Sequence, residues 1–138
     1  MTKVALYDVL EKCSALKKKE ERVMALQAND SLAMKSVLQG IFHPDIRFCL
    51  PEGEPPYKPS EFDEPGRIYQ ECKKFYIFVE GQAPNVNQIK REKLFIDLLE
   101  SLPPQDAKLV LAMKEKKNPF KGLTKDIVLA AFPGLFPT

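Results

Sequence analysis

The sequence contains one histidine, three cysteines and only six glycines among its 138 residues. The histidine, His43, has no evident partner for a catalytic triad and no histidine or cysteine neighbour for a metal site. Because Cys13, Cys49 and Cys72 are far apart, we expect buried free thiols and not metal ligands. The glycines are scattered and form no phosphate-binding loop. We therefore expect no enzyme active site, no metal and no cofactor.

Long hydrophobic runs are also missing, and the net charge is small. No apolar stretch reaches the roughly 20 residues needed to cross a bilayer, and the N-terminus opens into an amphipathic stretch, not a signal peptide. We therefore expect a cytoplasmic protein without a membrane partner, in the host cytoplasm if the source is viral. A formal net charge of +2 gives almost no global attraction to nucleic acid, so electrostatic binding must depend on where the charges lie.

The sequence does contain a series of short helical patterns. Its length, with 44% hydrophobic and 29% charged residues, predicts one globular domain over residues 1–138. Apolar residues recur three and four positions apart, and no stretch alternates as a strand would. The predicted fold is an all-α bundle of about six to seven short helices. The helical stretches are 4–13, 23–28, 32–42, 67–80, 89–102, 104–113 and 125–132, with polar N-caps before the third, fifth and seventh.

The segment Pro51–Pro65 is predicted to be an acidic surface loop. It holds five prolines and a glycine, which interrupt helices and favour turns. Five acidic residues against one lysine give it a net charge of −4. We expect it to lie within the single domain, since neither flank alone would bury much of a core.

The segment Lys108–Lys125 has the highest local positive charge. Six lysines and one glutamate within 18 positions give a net charge of +5. The pattern predicts a helix end, a tight loop with Gly122 and a new helix capped by Thr124. A helix N-terminus offers unpaired N–H groups, and glycine allows a close approach, so this is a candidate phosphate-binding turn. The alternative is a solvated, lysine-rich corner between two ordinary helices.

The C-terminal residues resemble the close of the N-terminal DNA-binding domain of ATP-dependent DNA ligases. In that family a basic loop with a glycine leads into a short helix that ends in an aromatic-Pro-Gly-Leu sequence. Here these features fall on Lys114–Gly122, Thr124–Ala131 and Phe132–Leu135. The likeness covers most of the chain apart from the acidic loop. The other segments that resemble the family in order and spacing are Leu6–Leu16, Asn29–Phe42, His43–Phe48 and Leu94–Met113.

This resemblance implies an all-helical domain that grips duplex DNA from the minor-groove side, without sequence specificity, through two helix–loop–helix elements. The first element would map onto Asn85–Arg91 and the second onto Lys114–Lys125. The expected DNA-binding residues are Lys90, Arg91, Lys114, Lys116, Lys117, Lys121, Gly122, Leu123, Thr124 and Lys125.

The chain also departs from the ligase pattern. Asn85–Arg91 lacks the glycine of the family's Arg…Thr-Gly pattern, and the second element offers only lysines, which bind phosphate without arginine's bidentate fork. The Lys-x-Asp-Gly motif that carries the ligase nucleophile is absent, and the chain stops at Thr138, where a ligase would continue into its adenylation domain. We therefore expect no DNA sealing by this chain alone.

Two functions are consistent with these observations. The first is a free-standing, non-catalytic module that binds double-stranded DNA in replication or repair, for which a phage accessory protein is one setting. The second is a protein-interaction module that presents the acidic loop to a replication, transcription or host regulatory protein. Basic residues on one concave face would favour DNA, and an exposed apolar patch would favour a protein. If the loop binds DNA, Gly122→Asp with Lys117→Glu is expected to abolish binding and leave the fold intact.

Overall fold

The computed structural model describes residues 5–59 and 66–137. This part of the chain forms seven α-helices and one 3₁₀ helix, which confirms the predicted all-α fold. Over the described residues, β pairing is limited to one antiparallel bridge between Phe48 and Val79. The helices are α1 (Leu6–Ser14), α2 (Lys19–Ala28), α3 (Leu32–Phe42), α4 (Ile68–Glu71), the 3₁₀ helix (Cys72–Phe78), α5 (Gln88–Ser101), α6 (Pro104–Lys114) and α7 (Lys125–Ala131).

None of the helices in residues 5–59 and 66–137 is both long enough and apolar enough to span a membrane. The first residue of the predicted helix 4–13 and the last six residues of the predicted acidic loop, 60–65, lie outside the described residues.

Polar side chains start three helices where the sequence predicts them to start. Ser31, Asn87 and Thr124 each accept a hydrogen bond from the backbone N–H three residues further along, at 3.1, 2.8 and 3.4 Å. Pro104 occupies the first position of α6, where its missing N–H costs nothing. These caps satisfy N–H groups that have no partner inside the helix.

The start of α1 is capped by a residue from the other end of the sequence. The buried carboxylate of Asp106 accepts hydrogen bonds from the backbone N–H groups of Tyr7 at 2.8 Å and Leu6 at 3.3 Å. Asp106 belongs to the first turn of α6, and α1 packs along that helix. The first turns of α1 and α6 therefore lie next to each other.

The buried apolar side chains form one cluster to which all seven helices contribute. Cys13 and Cys72 belong to it as buried free thiols, as predicted, and burial raises the pKa of both, whereas the free thiol Cys49 is only partly buried. Gly40 lets α3 and α6 approach closely, because a Cβ there would lie 2.8 Å from Cγ of Met113. The cluster fixes the helices relative to one another and so positions the loops between them.

The stretch 67–80 differs from the single α-helix that its apolar spacing predicted. It forms the short helix α4 and then the 3₁₀ helix. Cys72, Phe75 and Phe78 are buried, whereas Tyr76 is 54% exposed. The three buried residues are spaced by three, which places them on one face of a helix with three residues per turn. A spacing of three fits both helix types, so the sequence alone did not separate them.

Candidate nucleic-acid interface

The ten residues predicted to bind DNA lie on two segments, the start of α5 and the stretch from the end of α6 to the start of α7. Glu92 at the start of α5 and Lys114 at the end of α6 line the same cavity, and Gly122, beyond the end of α6, donates a hydrogen bond to Ser14 at the end of α1. The start of α5 and the ends of α1 and α6 therefore lie towards one end of the bundle. The end of α3 is joined to this group because Lys116, just after α6, donates a hydrogen bond to the carbonyl oxygen of Gly40 at 2.6 Å. We call this end, which carries Lys90, Lys117, Lys121 and Lys125, the lysine end.

These four lysines are exposed and form no ion pair with any residue of the described ranges. Lys90 lies in the first turn of α5, and Lys125 is the first residue of α7. Lys117 and Lys121 lie in the loop between α6 and α7. Their ammonium groups are therefore available to an anionic partner.

Lys116, by contrast, is turned into the molecule. Its ammonium group donates hydrogen bonds to the carbonyl oxygens of Gly40, His43 and Ile46 at 2.6, 2.8 and 2.8 Å. The same nitrogen lies 5.8 Å from the ring centre of Phe48, and burial lowers its pKa. The backbone of Lys116 has a positive φ of 57°, which bends the chain out of α6. Its ammonium caps the end of α3 and is not a free surface charge.

Lys114 is also committed to internal contacts. Its side chain is only 3% exposed, and its ammonium donates to the carbonyl oxygen of Pro51 at 2.8 Å and to Glu115 at 2.6 Å. Glu115 in turn accepts a hydrogen bond from the backbone N–H of Gly53 at 2.6 Å. This pair fastens the start of the acidic loop to the end of α6.

Arg91 organises the loop before α5. Its guanidinium donates to the carbonyl oxygens of Ile77, Ala83 and Val86 at 2.9, 3.1 and 3.0 Å, and to the side chain of Gln88 at 2.8 Å. Arg91 is only 9% exposed. Its forked donors thus serve the protein's own backbone, which the sequence pattern did not indicate.

The remaining three predicted residues shape the α6–α7 loop. Gly122 donates its backbone N–H to Oγ of Ser14 at 3.0 Å, and a Cβ at Gly122 would overlap the carbonyl oxygen of Ser14. Leu123 is fully buried, and Thr124 caps α7. The glycine is thus explained by close packing against the end of α1.

Asn118 is a structural residue of this loop that the sequence analysis missed. Its side-chain nitrogen donates to the carbonyl oxygen of Leu123 at 2.6 Å, and its oxygen accepts from the backbone N–H of Phe120 at 2.9 Å. An asparagine followed by proline is a known turn signal and could have indicated this role. With Gly122 and Thr124, Asn118 holds Lys121 on a fixed backbone.

The described part of the acidic loop lies against α5 and α6. Lys114 and Glu115 hold its start, and the backbone N–H of Lys58 donates to the side chain of Glu100 at 2.9 Å. Glu52 and Glu54 are exposed and line the same cavity as Lys114. This side of the lysine end is acidic, so the free lysines of the α6–α7 loop define its basic side.

The contact between Glu115 and Gly53 is expected to weaken in acid. Hydrogen bonds from Lys114 and from the Gly53 N–H lower the pKa of Glu115 below its ordinary value of 4.5. A carboxyl group with a lowered folded-state pKa stabilises the fold above its unfolded pKa, and this contribution is lost as the pH falls through the folded value. We expect the amide resonance of Gly53 to titrate with a midpoint below 4.5. Glu115→Gln should remove that titration, and a midpoint at or above 4.5 would contradict the contact.

Residues 9–118, which are 110 of the 138 residues, match the model of a protein family of unknown function, DUF6433. The chain belongs to DUF6433. The matched region of DUF6433 includes Lys90 and Lys117 but ends before Lys121 and before Phe132–Leu135, on which the ligase resemblance chiefly rests. Comparison with curated proteins and with solved structures found no match. The resemblance to ligases therefore stays a prediction from the residues.

Proposed function

We propose that the chain binds duplex DNA at the lysine end, through phosphates and without recognising base sequence. The observation that carries this proposal is the group of exposed lysines in and beside the α6–α7 loop, none of which pairs with a described carboxylate. Lysine ammonium groups bind phosphates as point charges and do not distinguish bases. Binding is therefore expected to depend on the phosphate charges of the duplex and not on its base sequence.

The rigidity of the α6–α7 loop supports the proposal. The side chain of Asn118 forms hydrogen bonds with the backbone of Phe120 and Leu123 within the loop, and the N–H of Gly122 joins the loop to Ser14. Charges held on a fixed backbone need little further ordering when a ligand binds, so less binding free energy is lost. Lys121 and Lys125, on either side of the fixed turn, are therefore the two lysines that we expect to contribute most.

The internal contacts of Lys114, Lys116 and Arg91 reduce the expected number of phosphate contacts. Four lysines remain available, namely Lys90, Lys117, Lys121 and Lys125. Each phosphate neutralised on B-DNA contributes about −0.9 to the slope of log K against log salt, so these four contribute about −4 to that slope. Fluorescence anisotropy with a labelled duplex across a salt series measures this slope directly.

The double variant Lys121→Gln/Lys125→Gln is expected to bind duplex DNA about thirtyfold more weakly near 0.15 M salt, with a slope shallower by about 2. Its matched control is Lys58→Gln/Lys108→Gln, which removes the same charge from exposed lysines placed towards the opposite end of the α5–α6 hairpin. The control should bind as the wild type does. Equal weakening in both variants would show that net charge alone governs binding and would contradict the site.

A nicked duplex distinguishes a role in joining or repairing strands from general DNA binding. The same anisotropy series, run with nicked and intact duplexes of equal length, compares the two affinities. Tighter binding to the nick would support the role that the ligase resemblance implies. Equal affinities would support a general duplex-binding module.

An apolar groove favours a protein partner as the second candidate function. The groove has a volume of about 550 Å³ and lies between α3, the 3₁₀ helix and Phe48. Leu32 and Tyr76, which are 56% and 54% exposed, line it, and Lys73 is its single charged lining residue. A segment with apolar side chains and a carboxylate facing Lys73 fits this lining. Absence of DNA binding by the wild type at low salt would make this groove the leading site.

A further inference from the structure

A second group of lysines, Lys17–Lys19, lies close to the α6–α7 loop although it is far away in the sequence. These residues connect α1 to α2, and all three are exposed. None of them forms an ion pair with the residues that the structure describes. Neither their local sequence nor the ligase resemblance marked them as part of a binding site.

The packing of α2 against α7 brings the two groups together. At one end of this helix pair, the side chain of Gln27 donates to the carbonyl oxygen of Ala131 at 3.3 Å. At the other end, Gly122 donates to Ser14, and the two helices are in contact between these points. The helices α2 and α7 therefore run in the same direction, and their first turns lie side by side.

Each of these two helices begins with a lysine, Lys19 in α2 and Lys125 in α7. The first turn of a helix carries a partial positive charge, which disfavours a cation and favours an anion there. Both first turns also hold carboxylates, and that of Glu21 accepts a hydrogen bond from the backbone N–H of Lys18 at 3.2 Å, so it is the lysine side chains and not the helix starts that are available to an anion.

The charged residues around the two helix starts form a patch with a net positive charge. Packed helices have axes about 8–10 Å apart, which is comparable with the Debye length of about 8 Å at physiological salt. The first turns also contain three carboxylates, which leave a net charge of +3. The lysines of the patch are Lys17, Lys18, Lys19, Lys117, Lys121 and Lys125, and the carboxylates are Glu20, Glu21 and Asp126.

We propose that the DNA-binding surface extends across both helix starts, so that Lys17–Lys19 bind phosphates of the same duplex as Lys121 and Lys125. This inference rests on the proposed function, because it names further residues of that site. It also moves the centre of the site away from the acidic loop and towards the α2–α7 pair. DNA would then be held by the first and last quarters of the chain together.

The test is the triple variant Lys17→Gln/Lys18→Gln/Lys19→Gln, measured by anisotropy on the same duplex and salt series. The expected result is a slope shallower by about 2.7 and binding weaker by about a hundredfold near 0.15 M salt. The melting temperature should stay close to that of the wild type, since all three side chains are exposed and none forms an ion pair with a described residue. Weaker binding without loss of stability separates a binding role from a structural one.

The matched control is Lys58→Gln/Lys73→Gln/Lys108→Gln, which removes three exposed charges elsewhere and should bind as the wild type does. A folded Lys17–Lys19 variant with wild-type affinity and slope would overturn the inference and leave the proposed function standing. A control weakened as much as the test variant would also overturn it. Absence of binding by the wild type at low salt would instead refute the proposed function itself, and this inference with it.

Discussion

Replacing Gly122 with alanine is expected to destabilise the protein by about 3 kcal/mol. The new Cβ would overlap the carbonyl oxygen of Ser14 and lie 2.7 Å from its Oγ. Because the clash involves the backbone at the end of α1, a side-chain rotation cannot relieve it, and the α6–α7 loop must separate from α1. Overpacking of this kind typically costs about 1–3 kcal/mol, and the hydrogen bond from Gly122 to Ser14 would also be lost. Urea unfolding of the two proteins measures the difference.

Ser14→Ala is the matched control, since it removes the same hydrogen bond without adding an atom. It should cost about 1 kcal/mol. If Gly122→Ala were as stable as the wild type, the close contact between the loop and α1 would not exist in solution. The same contact contradicts the expectation that Gly122→Asp would leave the fold intact, because aspartate carries the same Cβ. Loss of DNA binding by that variant would therefore not identify the site.

Replacing Lys116 with methionine is expected to destabilise the protein by about 2–3 kcal/mol and lower its melting temperature by about 10 °C. Methionine keeps the apolar stem but removes the ammonium that donates to Gly40, His43 and Ile46. Three carbonyl oxygens at the end of α3 would lose a charged donor at once. Thermal unfolding followed by circular dichroism checks this.

The neighbouring substitution Lys117→Met is the control for Lys116→Met. Lys117 is exposed and makes no ion pair with the described residues, so its loss should change the free energy of unfolding by less than about 0.5 kcal/mol. Equal effects of the two substitutions would contradict the capping role of Lys116. Lys117→Met should weaken DNA binding more than Lys116→Met does, since Lys117 is the accessible lysine of the two.

The helices and their caps could be predicted from the sequence because both depend on residues close together in the chain. Ser31, Asn87 and Thr124 each cap a helix that begins at the next residue, so the cap and the apolar pattern it precedes are visible together. The division of 67–80 into two helix types depends on packing and was not predictable from spacing alone.

The roles of the charged residues were less predictable, because they depend on distant partners. Lys116 and Lys117 are adjacent and chemically identical, yet one caps α3 and the other faces solvent. The partners of Lys116 lie 70 to 76 residues away, so no local pattern separates the two lysines. The same holds for Lys17–Lys19, whose nearness to α7 follows only from the pairing of α2 with α7.

The cap on α1 has a consequence for the order in which the protein folds. The first N–H groups of α1 are satisfied by Asp106, and α2 packs on α7, so both early helices have their partners in the last third of the chain. Contacts between residues so far apart slow folding, because a long loop must close before they form. During synthesis, α1 and α2 therefore leave the ribosome well before the segments that bury them. Their native packing must wait until nearly the whole chain has emerged.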